Sequence, residues 1–384
     1  MTTPLRSYLP EFLKPLLRLV RYKNERKKFI REIGIRKKQN EALNKNYNPS
    51  ETKLIVFLVV GSDWATGDDF ISGGTISIVS ICEETAALQN IHHAATIMCT
   101  FNNDHLLLKH RKFENNTAVY RFSQLKDYFS NLDSLIIHMP ELLAAYFADR
   151  LSKGDKEWLK KIPSFQLNIM NQNIRLMPEP AALKKLNGLT QQITITTAHT
   201  KYCNQYYRNY FGVPLHKLSV WISPEQYQFT QWREKENLLV VSPDPHPVKE
   251  AILQNLSEEK GLTVQIIQNL TYTEYKKLVS RAKWTLTFGE GLDGYFIEPV
   301  FSGAIAFGVF NNEFFTDDFS ALPTLYSSFP ELNNKIRGKI KELDNEADFK
   351  KYQHEQFEMC ALYYSKEQYK KNIVAFYKGE YTYA

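Results

Sequence analysis

Cysteine, glycine and proline are scarce in this sequence, with four, 16 and 16 among 384 residues. The cysteines share no C-x-x-C spacing and no secretory signal pattern accompanies them, which favours reduced thiols in a cytosolic protein over disulfides or a zinc site. The low glycine and proline content excludes a collagenous or low-complexity chain. The longest apolar run, Leu54 to Val60, is far shorter than the roughly 18 to 20 residues that cross a bilayer, so no spanning helix is expected.

Hydrophobic residues make up 43% and charged residues 23%, a composition typical of a folded chain, and the length predicts two domains. Short apolar runs alternate with amphipathic stretches, the βαβ rhythm of parallel sheets with helices on both faces. Strand candidates lie at residues 54–60, 95–101, 134–138, 165–169, 193–197 and 218–222, and then at 238–242, 264–267, 284–288 and 304–307. Helices are expected at residues 75–88, 140–153, 200–210, 248–257 and 272–282.

The polar stretch 223–237 has no strand pattern and separates two such series. We therefore predict two Rossmann-like, doubly wound α/β domains facing a cleft, one at residues 51–225 and one at residues 236–365. Residues 366–384 are predicted to form a C-terminal helix that crosses back to the first domain. Ligands are expected at the carboxyl ends of the strands, in the loops between the two domains.

Positive charge is concentrated in the basic N-terminal extension, residues 1–50, which carry 13 Lys and Arg against four Glu, whereas the rest of the chain is slightly acidic. Leucines from Leu5 to Leu19 form an apolar stripe flanked by cations, typical of a helix lying on an anionic membrane surface. A helix that packs this stripe on the body of the protein is the main alternative. A nucleic-acid-binding arm is the weakest alternative, because no nucleic-acid-binding motif follows.

The most informative segment is residues 284–308, where a predicted strand enters a turn containing Gly289, Gly291 and Gly294 and a helix then begins. Glycine allows a ligand to approach the backbone, and N–H groups at a helix start favour anions such as a pyrophosphate. Glu290 and Glu298 flank the turn, and their carboxylates can accept hydrogen bonds from the hydroxyls of a sugar and a ribose. The simpler alternative is a glycine turn with an exposed Glu290 and with Glu298 at a helix start.

This segment resembles the E-x7-E signature of retaining glycosyltransferases with two Rossmann-like domains, the GT-B architecture. The match covers Glu290, Gly291, Glu298 and Gly303. By this resemblance, Glu298 binds the nucleotide ribose and Glu290 acts at the transferred sugar. The backbone of the turn, Gly291, Leu292, Asp293 and Gly294, binds the donor sugar and phosphates.

Two further loops resemble donor-binding loops of the same enzymes. Lys249, after the strand at 238–242, matches the lysine that binds the donor diphosphate, but no arginine matches the second basic residue of that pair. His246, a backbone nest or Arg281 supplies the missing charge, or the phosphate is stabilised less. Gly73 and Gly74 match the glycine pair that lies near the donor phosphate and the acceptor.

Histidines supply the remaining candidates. These enzymes often place a histidine followed by a carboxylate after the strand that corresponds to 134–138, so we predict His138 as a catalytic residue beside Glu290, with Glu141 following it at a helix start. The alternative is a structural histidine whose ring is satisfied within the protein. His199, also between a strand and a helix, is expected in a capping or core role, with substrate contact as the alternative.

The resemblance implies a hexosyltransferase of bacterial surface-polysaccharide assembly that uses a nucleotide sugar, UDP-linked as the best guess, and an acceptor that is a glycan or a lipid-linked molecule. It implies no cofactor and no metal ion, and Asp68 and Asp69 in a glycine loop give little support for one. The resemblance also implies transfer with retention of anomeric configuration. We expect no nucleic-acid partner and a cytoplasmic location at the inner face of the membrane. A nucleotide-sugar epimerase or hydrolase on the same fold, and a non-catalytic glycan-assembly subunit, are the alternatives.

Overall fold

A computed structural model of the protein describes residues 23–59, 73–101, 118–219, 222–292 and 294–384. Two compact units divide the chain, one before Thr52 and one that contains all the strands described below. The first unit contains helix α1 (Lys23–Asn46), which has nine Lys and Arg against three Glu. Its side chains Phe29, Ile30 and Ile33 are exposed. The predicted leucine stripe lies outside the described residues.

The first half of the larger unit forms a seven-stranded parallel sheet, sheet A, in the order β3-β2-β1-β4-β5-β6-β7. Its strands are β1 (Lys53–Val59), β2 (Ala95–Thr100), β3 (Val119–Arg121), β4 (Ser134–Pro140), β5 (Ser164–Asn171), β6 (Gln192–Thr197) and β7 (Leu215–Lys217). The α-helices between them are α2 (Gly73–Ala87), α3 (Gln89–His92), α4 (Leu125–Tyr128), α5 (Glu141–Ala144), α6 (Phe147–Arg150), α7 (Lys153–Lys161), α8 (Pro180–Leu183) and α9 (Gln205–Phe211).

The second half forms a five-stranded parallel sheet, sheet B, in the order β12-β11-β10-β8-β9. Its strands are β8 (Glu236–Val241), β9 (Thr263–Ile266), β10 (Ala282–Leu286), β11 (Ile305–Val309) and β12 (Leu325–Tyr326). The accompanying helices are α10 (Lys249–Ser257), α11 (Tyr272–Arg281), α12 (Gly294–Phe301), α13 (Phe329–Leu343), α14 (Glu346–Tyr363) and α15 (Lys366–Tyr377).

Burial of the strands in the hydrophobic cores explains why their sequences are continuous apolar runs. Six consecutive residues of β1 are buried, as expected for a parallel strand covered on both faces. In sheet B, Leu239 and Val241 face a cluster that includes α13 and α14, whereas Leu238 and Val240 face α11. Successive residues of a strand point to opposite faces, so each sheet lies between two helical layers. The predicted α/β fold with two Rossmann-like domains is confirmed.

The strand orders fix where a ligand site can lie. In sheet A the order reverses between β1 and β4, and in sheet B it reverses between β8 and β10. Doubly wound sheets bind ligands outside the carboxyl ends of the strands at such switch points. The segments that matter are therefore the starts of α2 and α5 in the first half and the loops after β8 and β10 in the second.

Helix α15 returns to sheet A after the second sheet is complete. Tyr369 and Ile373 join the core cluster that contains Ile55 and Phe57 of β1. Beyond the helix, Tyr383 forms an antiparallel bridge with Leu215 of β7. The exact domain boundaries stay predictions.

Most predicted strands lie within two residues of the observed ones, and the differences occur where the elements are short. The predicted strand at 218–222 is wrong, because the chain pairs with β6 through Leu215–Lys217 instead. The strands β3 and β12 have only three and two residues, too few to show a period in the sequence. The helix predicted over 140–153 breaks into α5 and α6, with Tyr146 at the N-cap of the second.

Candidate functional site

A cavity of about 880 Å³ opens between the carboxyl ends of the two sheets. Its volume falls in the range of about 300 to 1,000 Å³ that is usual for small-molecule sites. Residues of both switch points line it, including Gly73 and Gly74 at the start of α2, and Glu290 after β10. Of the other predicted site residues, Leu292, Gly294 and Glu298 also line the cavity, whereas Asp293 lies outside the described residues.

A second pocket of about 410 Å³ adjoins the glycine turn. Its lining shares Gly289 with the larger cavity and includes Gly291, so the turn separates the two spaces. The remaining lining residues come from the end of β10, from the end of β11 and the loop after it, and from the start of α13.

The geometry of the turn requires glycine. Gly291 has φ +122°, and a Cβ there would lie 2.4 Å from the Phe315 ring. Both the backbone conformation and the close approach exclude a larger residue without displacement. At Gly294, a Cβ would lie 2.9 Å from Oε1 of Glu298, so the glycine allows that carboxylate to lie against the first turn of α12.

Glu298 is buried, with 7% of its surface exposed, in the wall of the cavity. Burial, and then the negative charge of the Glu298 carboxylate to which its hydroxyl hydrogen-bonds, raise the pKa of Tyr272. The hydroxyls of Tyr227 and Tyr272 are 3.0 Å apart, which extends the network away from the cavity. A carboxylate held in this way presents a fixed acceptor to a ligand hydroxyl.

Glu290 reaches across the cleft. The side-chain amide of Asn173, which follows β5, donates a hydrogen bond to its carboxylate. Burial raises the pKa of Glu290, the positive charge of Arg175 opposes this shift, and the negative charge of Asp244 adds to it. Groups from both sheets therefore act on the Glu290 carboxylate, although the residue itself is exposed at the cleft.

Glu141, the first residue of α5, is the principal site residue that the sequence analysis leaves without a role. It lines the cavity with 3% of its surface exposed. Burial raises the pKa of its carboxyl group to about 7, and the charge of Glu290 adds to the shift. Backbone N–H groups of Glu141, Gln172 and Asn173 act in the opposite direction but do not cancel it. The sequence signals are its position directly after a strand and Pro140, and the resemblance to enzymes that place a carboxylate after a histidine here.

His138 does not line the cavity. Because β4 continues to Pro140, His138 lies inside the strand, where its ring stacks on Phe57 at 4.4 Å between centroids. One ring nitrogen is 2.9 Å from the Asn168 amide and the other is 2.9 Å from the Tyr377 hydroxyl of α15. Burial lowers its pKa to about 3, so the ring is neutral. This position supports a structural role in the core in place of the predicted catalytic one.

Lys249 does not line the large cavity, but it contacts Asp244, which does. Its Nζ donates hydrogen bonds to the backbone oxygens of Ser242 at 2.6 Å and Asp244 at 2.9 Å, which ties the loop after β8 to the start of α10. Desolvation lowers the pKa of the Lys249 ammonium group. The nearby His246 packs its ring on Phe329 at 3.9 Å and accepts a long hydrogen bond from a backbone N–H of its own loop.

Arg281 is not the missing basic residue. It donates two hydrogen bonds of 2.8 Å to Glu236, the first residue of β8, at the end of the sheet opposite the cavity. Arg175, for which no sequence pattern gave a signal, is the cation whose charge acts on Glu290.

His199 lines the cavity and bonds through Nε2 to the backbone oxygen of Gln172 at 3.0 Å. Burial lowers its pKa to about 4, and the charge of Lys217 adds to this shift. Its ring also contacts Phe314 from the second half of the chain, at 5.3 Å between centroids. The structure thus places His199, and not His138, at the cleft.

Beside His199, loops from the two halves of the chain are joined by polar contacts. Arg175 pairs with the carboxylate of Glu313, and the Tyr202 hydroxyl donates a hydrogen bond of 2.5 Å to the backbone oxygen of the same residue. Lys201 donates to the backbone oxygen of Asn312. The two halves of the chain are therefore in direct contact beside the cavity.

Within the described residues, no group of three His, Cys, Asp or Glu side chains is arranged to hold a metal ion. Asp68 and Asp69 lie outside those residues.

No protein-family profile matches the sequence, and no curated protein is detectably similar to it. Solved structures are similar in fold. An α-glucosyltransferase in complex with UDP-glucose and DNA containing an abasic site has 9% identity and a TM-score of 0.54 over 85% of this chain and 99% of that one. Sucrose-phosphate synthase from Thermosynechococcus elongatus has 11% identity and a TM-score of 0.53 over 85% and 98%.

HepE of Anabaena, in complex with UDP-glucose, has 8% identity and a TM-score of 0.51 over 85% of this chain and 99% of that one. At these identities the likeness establishes the fold, which is the GT-B arrangement predicted from the sequence.

Proposed function

We propose that the protein is a glycosyltransferase that moves a hexosyl group from a nucleotide sugar to a glycan or lipid-linked acceptor with retention of anomeric configuration. The observation that carries the proposal is that Glu290 and Glu298, on either side of one glycine turn, both line the cavity between the two switch points. Proteins of the same fold have been solved with UDP-glucose, which supports UDP as the nucleotide.

The nucleotide would lie against the second sheet. Glu298, fixed by Tyr272, accepts hydrogen bonds from the ribose hydroxyls, and residues 267–271 of the cavity wall face the base. Leu292 and Gly294 of the turn contact the sugar and the diphosphate. The backbone N–H groups at the start of α12 favour the anionic diphosphate.

Positive charge for the departing diphosphate would come from both halves of the chain. Lys249 uses two of its three ammonium hydrogens on backbone oxygens, which leaves one for a phosphate. Arg175 approaches from the side of sheet A. Gly73 and Gly74 open the 15-residue helix α2, whose N-terminus adds a further partial positive charge. These groups stabilise the charge that develops as the glycosidic bond breaks.

Glu290 would act at the transferred sugar. Its carboxylate lies where the two sheets meet and its side chain is held by Asn173. A hydrogen bond to the sugar that strengthens as the ring becomes positively charged lowers the barrier of the chemical step, whereas Glu298 contacts a part of the donor that does not react.

The experiment compares Glu290→Gln with Glu298→Gln, using Glu355→Gln, an exposed residue of α14, as the control. Binding of UDP is measured by calorimetry, and release of UDP from UDP-glucose gives the turnover. We expect Glu298→Gln to weaken UDP binding and raise KM. Glu290→Gln should leave UDP binding nearly unchanged and lower kcat about tenfold or more, each tenfold being about 1.4 kcal/mol of barrier.

The assignment fails if Glu290→Gln weakens UDP binding as much as Glu298→Gln, or if both variants turn over like the control. Analysis of the released sugar by NMR separates transfer with retention from epimerisation, since an epimerase returns an altered nucleotide sugar.

We also propose that residues 1–50 attach the protein to the cytoplasmic face of an anionic membrane in surface-polysaccharide assembly. Each cation near such a surface contributes about 1 kcal/mol, and the exposed Phe29, Ile30 and Ile33 of α1 add apolar contact. Among the described residues, no helix has the length and hydropathy needed to span a bilayer.

A further inference from the structure

Two tyrosines of helix α9 present their rings to solvent, on the half of the chain that contains sheet A. Tyr206 is 67% exposed and Tyr210 is 42% exposed. They are four residues apart on one face of the helix, and their rings are 6.3 Å apart between centroids and within 10° of parallel. Each ring offers an apolar surface and a hydroxyl group, so this tyrosine pair is an amphipathic surface on which a ligand can pack.

Neighbouring side chains hold the tyrosine pair in place. The Tyr207 ring meets both rings edge-on, at 5.1 Å from Tyr206 and 6.5 Å from Tyr210. The Tyr210 hydroxyl donates a hydrogen bond of 2.7 Å to the carboxylate of Glu179. Asn204 caps the start of the helix by accepting a hydrogen bond from the backbone N–H of Tyr207. Rings that are already ordered lose little conformational entropy when a ligand binds.

Two series of contacts connect the tyrosine pair to the cavity. The ring of His199, in the cavity wall, is 6.3 Å from the ring of Tyr202, which is 5.1 Å from the ring of Tyr207. Leu176 also lines the cavity and is 50% exposed, and Glu179, three residues later, accepts the hydrogen bond from the pair. The exposed rings are therefore continuous with the rim of the cavity, and a ligand that extends out of the cavity on this side can reach them.

The chemistry of the tyrosine pair and its surroundings fits a saccharide chain. A pyranose ring has an apolar face of carbon-bound hydrogens, which packs on an aromatic ring, and hydroxyls at its edge, which need polar partners. Gln205 and Asn209, exposed on the same helix, carry amides that donate and accept, and a hydrogen bond of 2.8 Å joins them. Glu179 and the tyrosine hydroxyls add further partners.

A lipid fits this surface less well. Acyl chains on the tyrosine pair would remove its hydroxyls and the neighbouring amides from water without replacing their hydrogen bonds. An anionic headgroup requires cations, and the sequence of α9 has one, Arg208, whose guanidinium donates to the backbone oxygen of Ala384.

We propose that the tyrosine pair binds sugar units of a glycan acceptor that lie outside the cavity, and that this acceptor is a saccharide of several units. The inference rests on the proposed function, which it narrows from a glycan or lipid-linked acceptor to a glycan bound along α9. The reacting end of the acceptor lies in the cavity, and the following units cross the rim at Leu176 to reach Tyr206 and Tyr210.

The test compares long saccharides with short ones. Full-length wild type is applied to an array of immobilised bacterial oligosaccharides, from monosaccharides to octasaccharides. The tightest binder and its shorter fragments are then measured by calorimetry in the presence of UDP. The variants are Tyr206→Ala, Tyr210→Ala and Tyr206→Phe. The control is Leu362→Ala, which removes an exposed apolar side chain from α14, on the half of the chain that contains sheet B.

We expect wild type to bind long oligosaccharides more tightly than their fragments. Tyr206→Ala and Tyr210→Ala should each weaken binding of the long oligosaccharide about 3- to 10-fold, the effect of one lost aromatic packing contact, and leave UDP binding unchanged. The loss should vanish for monosaccharides and disaccharides, which are too short to occupy the cavity and the tyrosine pair together. Tyr206→Phe keeps the ring and should keep most of the affinity. Thermal unfolding of each variant confirms that the fold is intact.

Equal affinity of the alanine variants and wild type for the long oligosaccharide overturns this inference, and so does an equal loss for long and short saccharides. Weaker sedimentation of Tyr206→Ala with liposomes also overturns it, because that result indicates a lipid surface. If wild type binds UDP but no saccharide of the array, this inference fails and the donor site of the proposed function stands. If wild type binds neither UDP nor a saccharide, the proposed function fails as well.

Discussion

The raised pKa of Glu141 has a consequence for stability that can be measured without any ligand. Burial moves the pKa of this carboxyl group from 4.5 to about 7 in the folded protein. Each pKa unit corresponds to about 1.4 kcal/mol, so the shift amounts to about 3 kcal/mol of folding free energy. Glu141→Gln removes the titration and preserves the size of the side chain.

The folded protein binds the Glu141 proton more tightly than the unfolded chain, and this decides how the free energy of unfolding changes with pH. Below about pH 4.5 the carboxyl group is protonated in both states and contributes no pH dependence. As the pH rises from there to about 7, the unfolded chain loses the proton and the folded protein keeps it, so the free energy of unfolding falls. Wild type should therefore lose about 3 kcal/mol relative to Glu141→Gln across this window, and the difference should level off above it.

Urea unfolding followed by circular dichroism, at intervals from about pH 4 to pH 8, gives this difference. Subtracting the variant from wild type removes the contribution of other titrating groups except Glu290, whose coupling to Glu141 is the smallest contribution to the shift. Glu157→Gln, carried through the same series, shows what an exposed glutamate does. Parallel stability curves for wild type and Glu141→Gln would refute the assignment of a buried, protonated carboxyl group.

The remaining predictions concern the turn and the N-terminal extension. Gly291→Ala should lower the unfolding free energy by about 1 to 3 kcal/mol, because φ +122° and the Phe315 ring both oppose a Cβ, and thermal unfolding measures it. Gly338→Ala is the control, since that helical position has open space and should gain about 0.5 to 1 kcal/mol; equal effects of both changes would contradict the geometry. Deleting residues 2–45 should abolish sedimentation with anionic liposomes and preserve nucleotide binding, and a truncated protein that still sediments would exclude the membrane role.

The sequence by itself determined the fold class and one side of the site. Apolar runs of strand length, separated by amphipathic stretches, predicted two parallel sheets, because strands buried on both faces must be apolar along their whole length. The E-x7-E spacing predicted Glu290 and Glu298 as site residues, and both line the cavity, since a strand, a glycine turn and the first turn of a helix are local in the chain. The sequence did not predict the strand ends or very short strands such as β7. A three-residue segment is too short to show an alternating pattern, and it becomes a strand by pairing with its neighbour, here β6.

Only the tertiary structure decided what faces Glu290. His138 and Glu141 are three residues apart, yet one lies in the core and the other in the cavity. The difference depends on how far β4 extends and on Tyr377 of α15, which returns from the far end of the chain to bond with His138. Asn173 meets Glu290 across 117 residues of sequence. Such contacts follow from strand order and from the packing of the two sheets, which no local sequence pattern encodes. The residues that face Glu290 could therefore be identified only from the tertiary structure.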